Sequence, residues 1–444
     1  MTASATSTRP AGNTRTAAAP PADGRPSSRG SSRRSGEASA ARRSGPTGQF
    51  GPFRLQQFVL LEIAVALLLA AWVIEPLLLA PAGVIAALLV LLAVVRRHRR
   101  SLPEWLGTVL ALRTRARRAN SFELPPGTEP GIAPVVECDP ALRTYAFSDR
   151  DRRPVGMIGD GTFVTAVLRV EPDDAALRHD RSARPLPLAL VRDVLEVDGI
   201  RLESAQVVQH TQPAPAPHLP QQSVAARNYA PLQAQTGSPA VRITWIALKL
   251  DPELCPEAVR ARGGGLAGAQ KCVVRAADQL SSRLAGAGFR ATVLTEQELT
   301  SAIATSVCAS ASAMAQAGRN GAPARRTEET SRTWRCDDRR HTTYWVARWP
   351  QFGGEGGAAM PRFVALLTSM PALATTFSLT LGHGERQGVA ISGHIRITGR
   401  SDEELLGARH ELERAARGVK ASLVRLDREQ LPGVLATLPL GGTR

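Results

Sequence analysis

Aromatic side chains make up only 4% of this 444-residue chain, and lysine occurs only at Lys249, Lys271 and Lys420. A nucleic-acid surface interleaves basic residues with rings for stacking, so the shortage of rings argues against nucleic acid as a partner. The five cysteines (Cys138, Cys255, Cys272, Cys308, Cys336) form no C-x-x-C pair. Their odd number fits reduced, structural thiols in a cytosolic domain. The eight histidines are scattered, without an H-x-x-x-H pair or a cysteine at metal spacing, so no zinc site is encoded. A G-x-S-x-G nucleophile elbow and a Walker loop are also missing. The chain carries no credible catalytic set, and neither a cofactor nor a metal is expected.

Two adjoining apolar runs stand out instead, Leu55 to Ile74 and Pro76 to Val95, broken at Glu75-Pro76. A helix needs about 20 residues to cross the hydrocarbon core of a bilayer. Residues 50–95 therefore predict two transmembrane helices joined by a minimal turn. Arginines Arg9, Arg15, Arg25, Arg29, Arg33, Arg34, Arg42 and Arg43 precede the runs. Arg96, Arg97, Arg99, Arg100, Arg113, Arg115, Arg117 and Arg118 follow them. Base-rich flanks mark the cytoplasmic side, which puts both termini in the cytoplasm and the chain in the plasma membrane. Most of the net charge of +16 lies before residue 119, so the basic balance points to anionic phospholipid.

Residues 1–49 are Ala, Ser, Thr, Pro, Gly and Arg with almost no large apolar side chain, and read as a disordered basic tail. Within the second span, Ala82 with Ala86 and Gly83 with Ala87 are small-xxx-small pairs that suit close helix packing. Residues 96–120 form a basic juxtamembrane segment with an amphipathic helix. Ser101 and Glu104 suit a capping box, and Leu102, Trp105, Leu106, Val109 and Leu110 share one face. That face either lies on the cytoplasmic leaflet, with Trp105 and the arginines at the headgroups, or packs on the protein's own domain.

The soluble part divides into a first half, 121–330, and a second half, 331–444. Strands are expected over Val155–Ile158 and Thr162–Val170 around a Gly159-Asp160-Gly161 turn, then Ile200–Gln209, Val241–Leu250 and Phe289–Leu294. Helices are expected over Leu186–Val197, Pro252–Arg262, Leu266–Ala285 and Glu296–Ala315, with an irregular Pro-rich excursion over 211–240. The second half repeats the order, with strands Thr342–Trp349, Leu373–Leu381, Gly388–Ile397 and Ala421–Leu426. Its helices are Arg362–Ser369 and Asp402–Arg417. The fold class is thus a membrane-anchored α+β protein with a mixed sheet, whose order fits two β-α-β-β-α-β units.

Three motifs remain. Gly263-Gly264-Gly265-Leu266-Ala267-Gly268 spells G-x-G-x-x-G, but no strand leads into it, so it reads as a break between helices. Asp149/Asp151 and Asp337/Asp338 are the acid pairs that would serve an alternative, a membrane-anchored glycosyltransferase-like enzyme holding a divalent ion. Glu62 is a lone carboxylate in the first span and makes no proton relay.

Taken in order, a set of segments resembles the EccE membrane components of actinobacterial type VII (ESX) secretion systems, in the streptomycete-like branch. The set starts with Phe50-Gly51-Pro52 before the double span and Leu102-Pro103-Glu104-Trp105-Leu106 after it. It continues with Gly159-Asp160-Gly161-Thr162-Phe163, Val208-Gln209-His210-Thr211 and Thr244-Trp245-Ile246-Ala247-Leu248. Arg262-Gly263-Gly264-Gly265, Tyr344-Trp345, Trp349-Pro350 and Thr376-Phe377-Ser378-Leu379-Thr380 complete it. The resemblance implies a non-catalytic structural subunit of the plasma-membrane translocation complex. Its neighbours there would be EccB, EccD and the ATPase EccC.

Overall fold

The computed structural model describes residues 49–442 apart from 51–52, 76–78, 95, 98–99, 126, 150, 174–184, 214–223, 225–226, 229–240, 321–324, 353–359 and 385–387. By internal contact the chain separates into residues 1–40, outside the described residues, and residues 41–444. The expected tail thus lies outside the described residues but for Gln49, as does nearly all of the Pro-rich excursion.

The two apolar runs form helices α1 (Leu55–Ile74) and α2 (Leu79–Val94). They pack together, and the side chains buried along them are alanines: Ala64 and Ala71 on α1, Ala82 and Ala86 on α2. Trp72, Val73, Ile74, Val84 and Leu88 face outward and exposed. Among the described residues, no helix is long and apolar enough to cross a membrane. Side chains are described only from Glu62 in α1 and only as far as Val90 in α2, stretches shorter than either helix. Helix α3 (Leu102–Ser121) and the single turn α4 (Ala133–Val136) follow.

Twelve strands then build one sheet. In the first half these are β1 (Arg143–Ser148), β2 (Pro154–Gly159), β3 (Val164–Pro172), β4 (Ser204–Gln212), β5 (Val241–Leu250) and β6 (Phe289–Val293). Its helices are α5 (Leu188–Asp193), α6 (Pro256–Ala261), α7 (Gly265–Gly286), α8 (Glu296–Ser306) and α9 (Ala311–Asn320). From Thr327 onward the chain supplies β7 (Thr327–Glu329), β8 (Trp334–Cys336), β9 (Arg339–Arg348), β10 (Ala374–His383), β11 (Val389–Gly399) and β12 (Ser422–Arg425). Helices α10 (Met360–Thr368), α11 (Asp402–Gly418) and α12 (Gln430–Thr437) complete it.

The strand order is β7-β8-β9-β11-β10-β4-β5-β3-β2-β1, with β6 on β3 and β12 on β9. Each half therefore contains a β-α-β-β-α-β unit, β3-α5-β4-β5-α7-β6 and β9-α10-β10-β11-α11-β12. Each unit has the side-by-side order fourth, first, third, second, as in ferredoxin-like folds. In both, a hairpin from an earlier strand joins the start of the first strand while the fourth strand joins its end. The units meet along their second strands, with Ser204 opposite Gly382 and Thr211 opposite Thr375, so they share a single sheet.

Every described pairing is antiparallel, which corrects the expected mixed sheet. The reason is geometric. The first β-α-β crossover of each unit leaves one strand position open between its two parallel strands, and the third strand returns through a hairpin to fill it antiparallel; the second crossover carries the fourth strand past the first to its far side, where it too pairs antiparallel.

Helices α7, α10 and α11 cover one face of the sheet, over an aliphatic layer that includes Met157, Leu168, Ile246, Leu248, Leu379, Ile395 and Ile397. Complete burial of one such side chain stabilises by about 1.5–3 kcal/mol. Helices α8 and α12 cover the other face, which mixes Val167, Val208 and Trp245 with wholly buried polar groups. Gln206, His210, His341, Thr343, Thr376, Ser378, Arg396 and Thr398 are all fully buried there.

Local chemistry explains the element boundaries. Thr295 caps α8 in a reciprocal capping box with Glu298, and Ser401 accepts from the Glu404 backbone at the start of α11. Asp160 turns the β2–β3 connection by accepting from Thr162 N, Thr162 Oγ1 and Phe163 N. The expected long helix from Glu296 ends earlier, because Cys308 takes a left-handed conformation (φ 53°) and splits α8 from α9.

Candidate functional site: the α3 clamp and its surroundings

Helix α3 connects the apolar hairpin to the sheet, and its partly buried side chains are Trp105, Thr108, Val109, Leu112, Arg115 and Ala119. Their spacing of three and four residues makes one stripe down the helix. Arg115 Nε donates to Glu329 Oε2 at 2.8 Å and its Nη2 to Glu329 Oε1 at 3.0 Å. The same Nη2 donates to the Arg428 carbonyl at 2.6 Å. The Arg428 guanidinium sits 5.3 Å from the centre of the Trp105 ring, and Arg325 donates to the Ala119 carbonyl. Glu329, only 7% exposed, also accepts from Leu431 N at 3.0 Å and so ties the start of α12 to the same point.

The stripe thus places Trp105 and Arg115 against the protein's own domain, on Glu329 and Arg428. It is rotated from the face expected from the sequence: Leu106 and Leu110 are exposed, in line with Arg113 and Arg117 one and two turns further on, and Arg118 is exposed beside them. Arg99 and the side chains of Arg96, Arg97 and Arg100 lie outside the described residues. On α2, Ala82 and Ala86 sit in the helix seam, Gly83 is half-buried and Ala87 is exposed.

The carboxylate pairs do not make a metal clamp. Asp337 is pinned by Arg326, whose Nε and Nη2 donate to its two oxygens at 2.8 Å each, and by Ser310 N at 2.9 Å. That guanidinium and the backbone donor hold the Asp337 carboxyl below its ordinary range despite burial. Asp338 is paired with Arg339 and exposed. Asp149 accepts from the exposed Arg153. Among the described residues, no group of three or more histidine, cysteine or acidic side chains is arranged to hold a metal.

Neighbouring Glu137 is equally committed, accepting from Arg326 N, Thr327 N and Thr327 Oγ1. All five cysteines are free thiols, and burial pushes Cys138 up to about 12, far from a reactive thiolate. The Gly263-Gly264-Gly265 segment has positive φ at each residue (108°, 71° and 56°) and breaks α6 from α7. Gly268 just beyond lets α7 approach the Val259 carbonyl.

Two open hollows flank the C-terminal segment where it crosses the sheet. One, of about 740 Å³, is lined by Asp139, Asp160, Glu203, Asp251 and Glu253 with Lys249. Its lysine is spent on Glu203 at 3.2 Å and on the Phe163 ring at 4.2 Å. The other, of about 670 Å³, is lined by Trp345, His394, Ser392 and Thr380. Between them the segment is held by Thr165 Oγ1 on the Leu440 carbonyl, Ser204 Oγ on the Gly441 carbonyl, and Gly441 N on Gln206 Oε1. The sequence reading missed this strap and helix α12, because Leu-Pro-Gly-Val-Leu-Ala-Thr-Leu has no helical periodicity to show it.

These features define a class: a two-unit α+β body clamped to an apolar helical hairpin, with its buried charges used for structure. Residues 238–346 match the family described as "EccE: Putative type VII ESX secretion system translocon, EccE". That segment is similar to the EccE family, the family that the sequence resemblance named. No curated protein matches. Among solved structures, two crystal forms of alkyldihydroxyacetonephosphate synthase are similar at 7% identity with TM-scores of 0.25 and 0.24. Each alignment covers 61% of this chain and 42% of the synthase, so the chain spans less than half of that enzyme's length. Similarity at that level carries no argument about activity.

Proposed function

We propose that the chain is a non-catalytic structural subunit of the type VII secretion translocation complex in the plasma membrane, where it supports protein export. The observation that carries this is the family match over residues 238–346, a segment that runs from β5 to β9 and so includes parts of both units. The commitment of Asp337, Glu137 and Glu329 to structural pairs favours a scaffold over a glycosyltransferase.

On this reading α1 and α2 are a transmembrane hairpin with both termini cytoplasmic. The 20 residues of α1 rise about 30 Å, the thickness of a bilayer core, and apart from the exposed Glu62 the described outward side chains of both helices are apolar. Arg96, Arg97, Arg99 and Arg100, with the exposed Leu106, Leu110, Arg113, Arg117 and Arg118, meet anionic phospholipid at the inner leaflet. Trp105 and Arg115 transmit that position to the sheet. The remaining surface meets EccB, EccC and EccD.

Alkaline carbonate extraction of membranes tests the anchor. The full chain is expected in the pellet, and a chain lacking residues 50–95 in the supernatant. Extraction of the full chain would overturn the hairpin.

A further inference from the structure

Arg396 lies in β11, wholly buried, and among the described residues it joins no ion pair with a carboxylate. One nitrogen is satisfied: Nη2 donates to the Ser306 carbonyl and lies 3.3 Å from Ser306 Oγ. That carbonyl belongs to the last turn of α8, where the helix dipole favours a cation. Nε and Nη1 have no partner. Thr343 stands directly opposite Arg396 in the β9–β11 pair, and its Oγ1 is unpartnered too. His341, two residues along β9 on the same face, has an unpartnered Nε2. All three residues are completely buried.

The neighbouring hydroxyls decide the proton positions. Thr398 Oγ1 lies 4.0 Å from Cys308 Sγ and 2.9 Å from His341 Nδ1, and the tautomer in which the Thr398 hydroxyl donates to Nδ1 carries the imidazole proton on Nε2. Burial, with Arg396 and Arg339 nearby, holds the His341 pKa well below its ordinary value, so the ring is neutral with one N–H. His210 is a neutral neighbour on the same face, and the thiols of Cys308 and Cys336 stay protonated through burial. In that tautomer the unpartnered atoms of Arg396, Thr343 and His341 are all able to donate.

We infer that this layer holds a small monovalent inorganic anion, of halide size, between Arg396, Thr343 and His341. A halide accepts every one of these donors and neutralises the guanidinium. Water brings two donors of its own and no charge. Burial lowers Arg396 only to about 10, so it remains charged at neutral pH and an isolated charge there is strongly unfavourable. The complete burial of all three side chains limits the occupant to a few atoms.

The test uses the full chain in mild detergent, exchanged into sodium gluconate, chloride or bromide at equal ionic strength, with unfolding followed by tryptophan fluorescence. Chloride and bromide are expected to raise the melting temperature saturably by a few degrees over gluconate. Thr343→Val, which removes one donor at nearly constant volume, is expected to shrink that rise, and Arg396→Met to abolish it. An anomalous bromide peak beside Arg396 in crystals would support the same conclusion without any variant. Equal melting in all three salts overturns the inference, as does a halide-dependent rise that Thr343→Val leaves unchanged, since the anion then acts elsewhere.

Discussion

Arg115 and Glu329 stand 214 positions apart in the chain and meet as a two-pronged ion pair, with Nε–Oε2 at 2.8 Å and Nη2–Oε1 at 3.0 Å. Glu329 is nearly buried, so truncating its partner leaves a carboxylate short of donors in a poorly solvated position. Arg115→Ala is expected to destabilise the fold by about 1–3 kcal/mol, the range for leaving a buried acceptor without its donor. Arg113→Ala, on the exposed side of α3, is expected to change stability by less than about 0.5 kcal/mol. Chemical denaturation of the two variants side by side checks the difference, and equal stability would remove the clamp.

Acid sensitivity follows from the buried imidazoles. Desolvation, helped by Arg396, lowers His210 to about 3, desolvation lowers His394 to about 4, and His341 is also well below its ordinary value. In the unfolded chain each titrates near its ordinary value of about 6.5. Below that pH the unfolded state binds more protons, so stability is flat at pH 7–8 and falls as pH drops from about 6.5 towards 4, by up to about 1.4 kcal/mol per pH unit per histidine. The lowered carboxyls of Asp160, Glu298 and Asp337 act in a separate window, since the stability they confer is lost only below their unfolded values near 4. Melting temperature against pH at constant salt checks this, and His341→Gln is expected to make the first decline shallower.

Asp337 and Asp338 separate scaffold from enzyme. Asp337→Ala is expected to lower stability by about 3 kcal/mol, because it strands the buried Arg326. Asp338→Ala is expected to be neutral in both stability and secretion. Loss of secretion by Asp338→Ala, with the protein folded and present at normal levels, would speak for chemistry at this pair.

Gly156 marks a close approach between β2 and the start of α8. A Cβ there would sit 2.4 Å from the Glu296 backbone nitrogen, a contact that side-chain rotation cannot relieve. Gly156→Ala is expected to cost about 1–3 kcal/mol, measurable by thermal unfolding. Gly161→Ala, open in space but held at φ 97°, would lose stability through backbone strain alone.

The strand order was readable where periodicity and turn chemistry agreed. Val241–Leu250 forms the expected strand, and α11, capped by Ser401, matches the expected Asp402–Arg417 to within one residue. The repeated β-α-β-β-α-β order was visible, but the joining of the units through Thr211 and Thr375 was not, because long-range register leaves no local trace. Short strands such as Thr327–Glu329 are set by pairing alone and were not among the expected strands. Helix α3 showed its amphipathic spacing, yet which edge of that face turned inward depended on Glu329 and Arg428, more than 200 residues away. The polar layer around Arg396 sits among Ile and Thr in a run that reads as an ordinary strand.

Whether this chain acts as a fixed part of a secretion complex is read out by purifying the tagged full chain from native membranes in mild detergent and identifying what accompanies it by mass spectrometry. The other membrane components of the type VII system are expected to co-purify in constant proportion. Arg115→Ala is expected to weaken that proportion while Arg113→Ala leaves it intact. Recovery of the chain as a lone monomer, under conditions that keep the other components together, would show that it is no part of the complex.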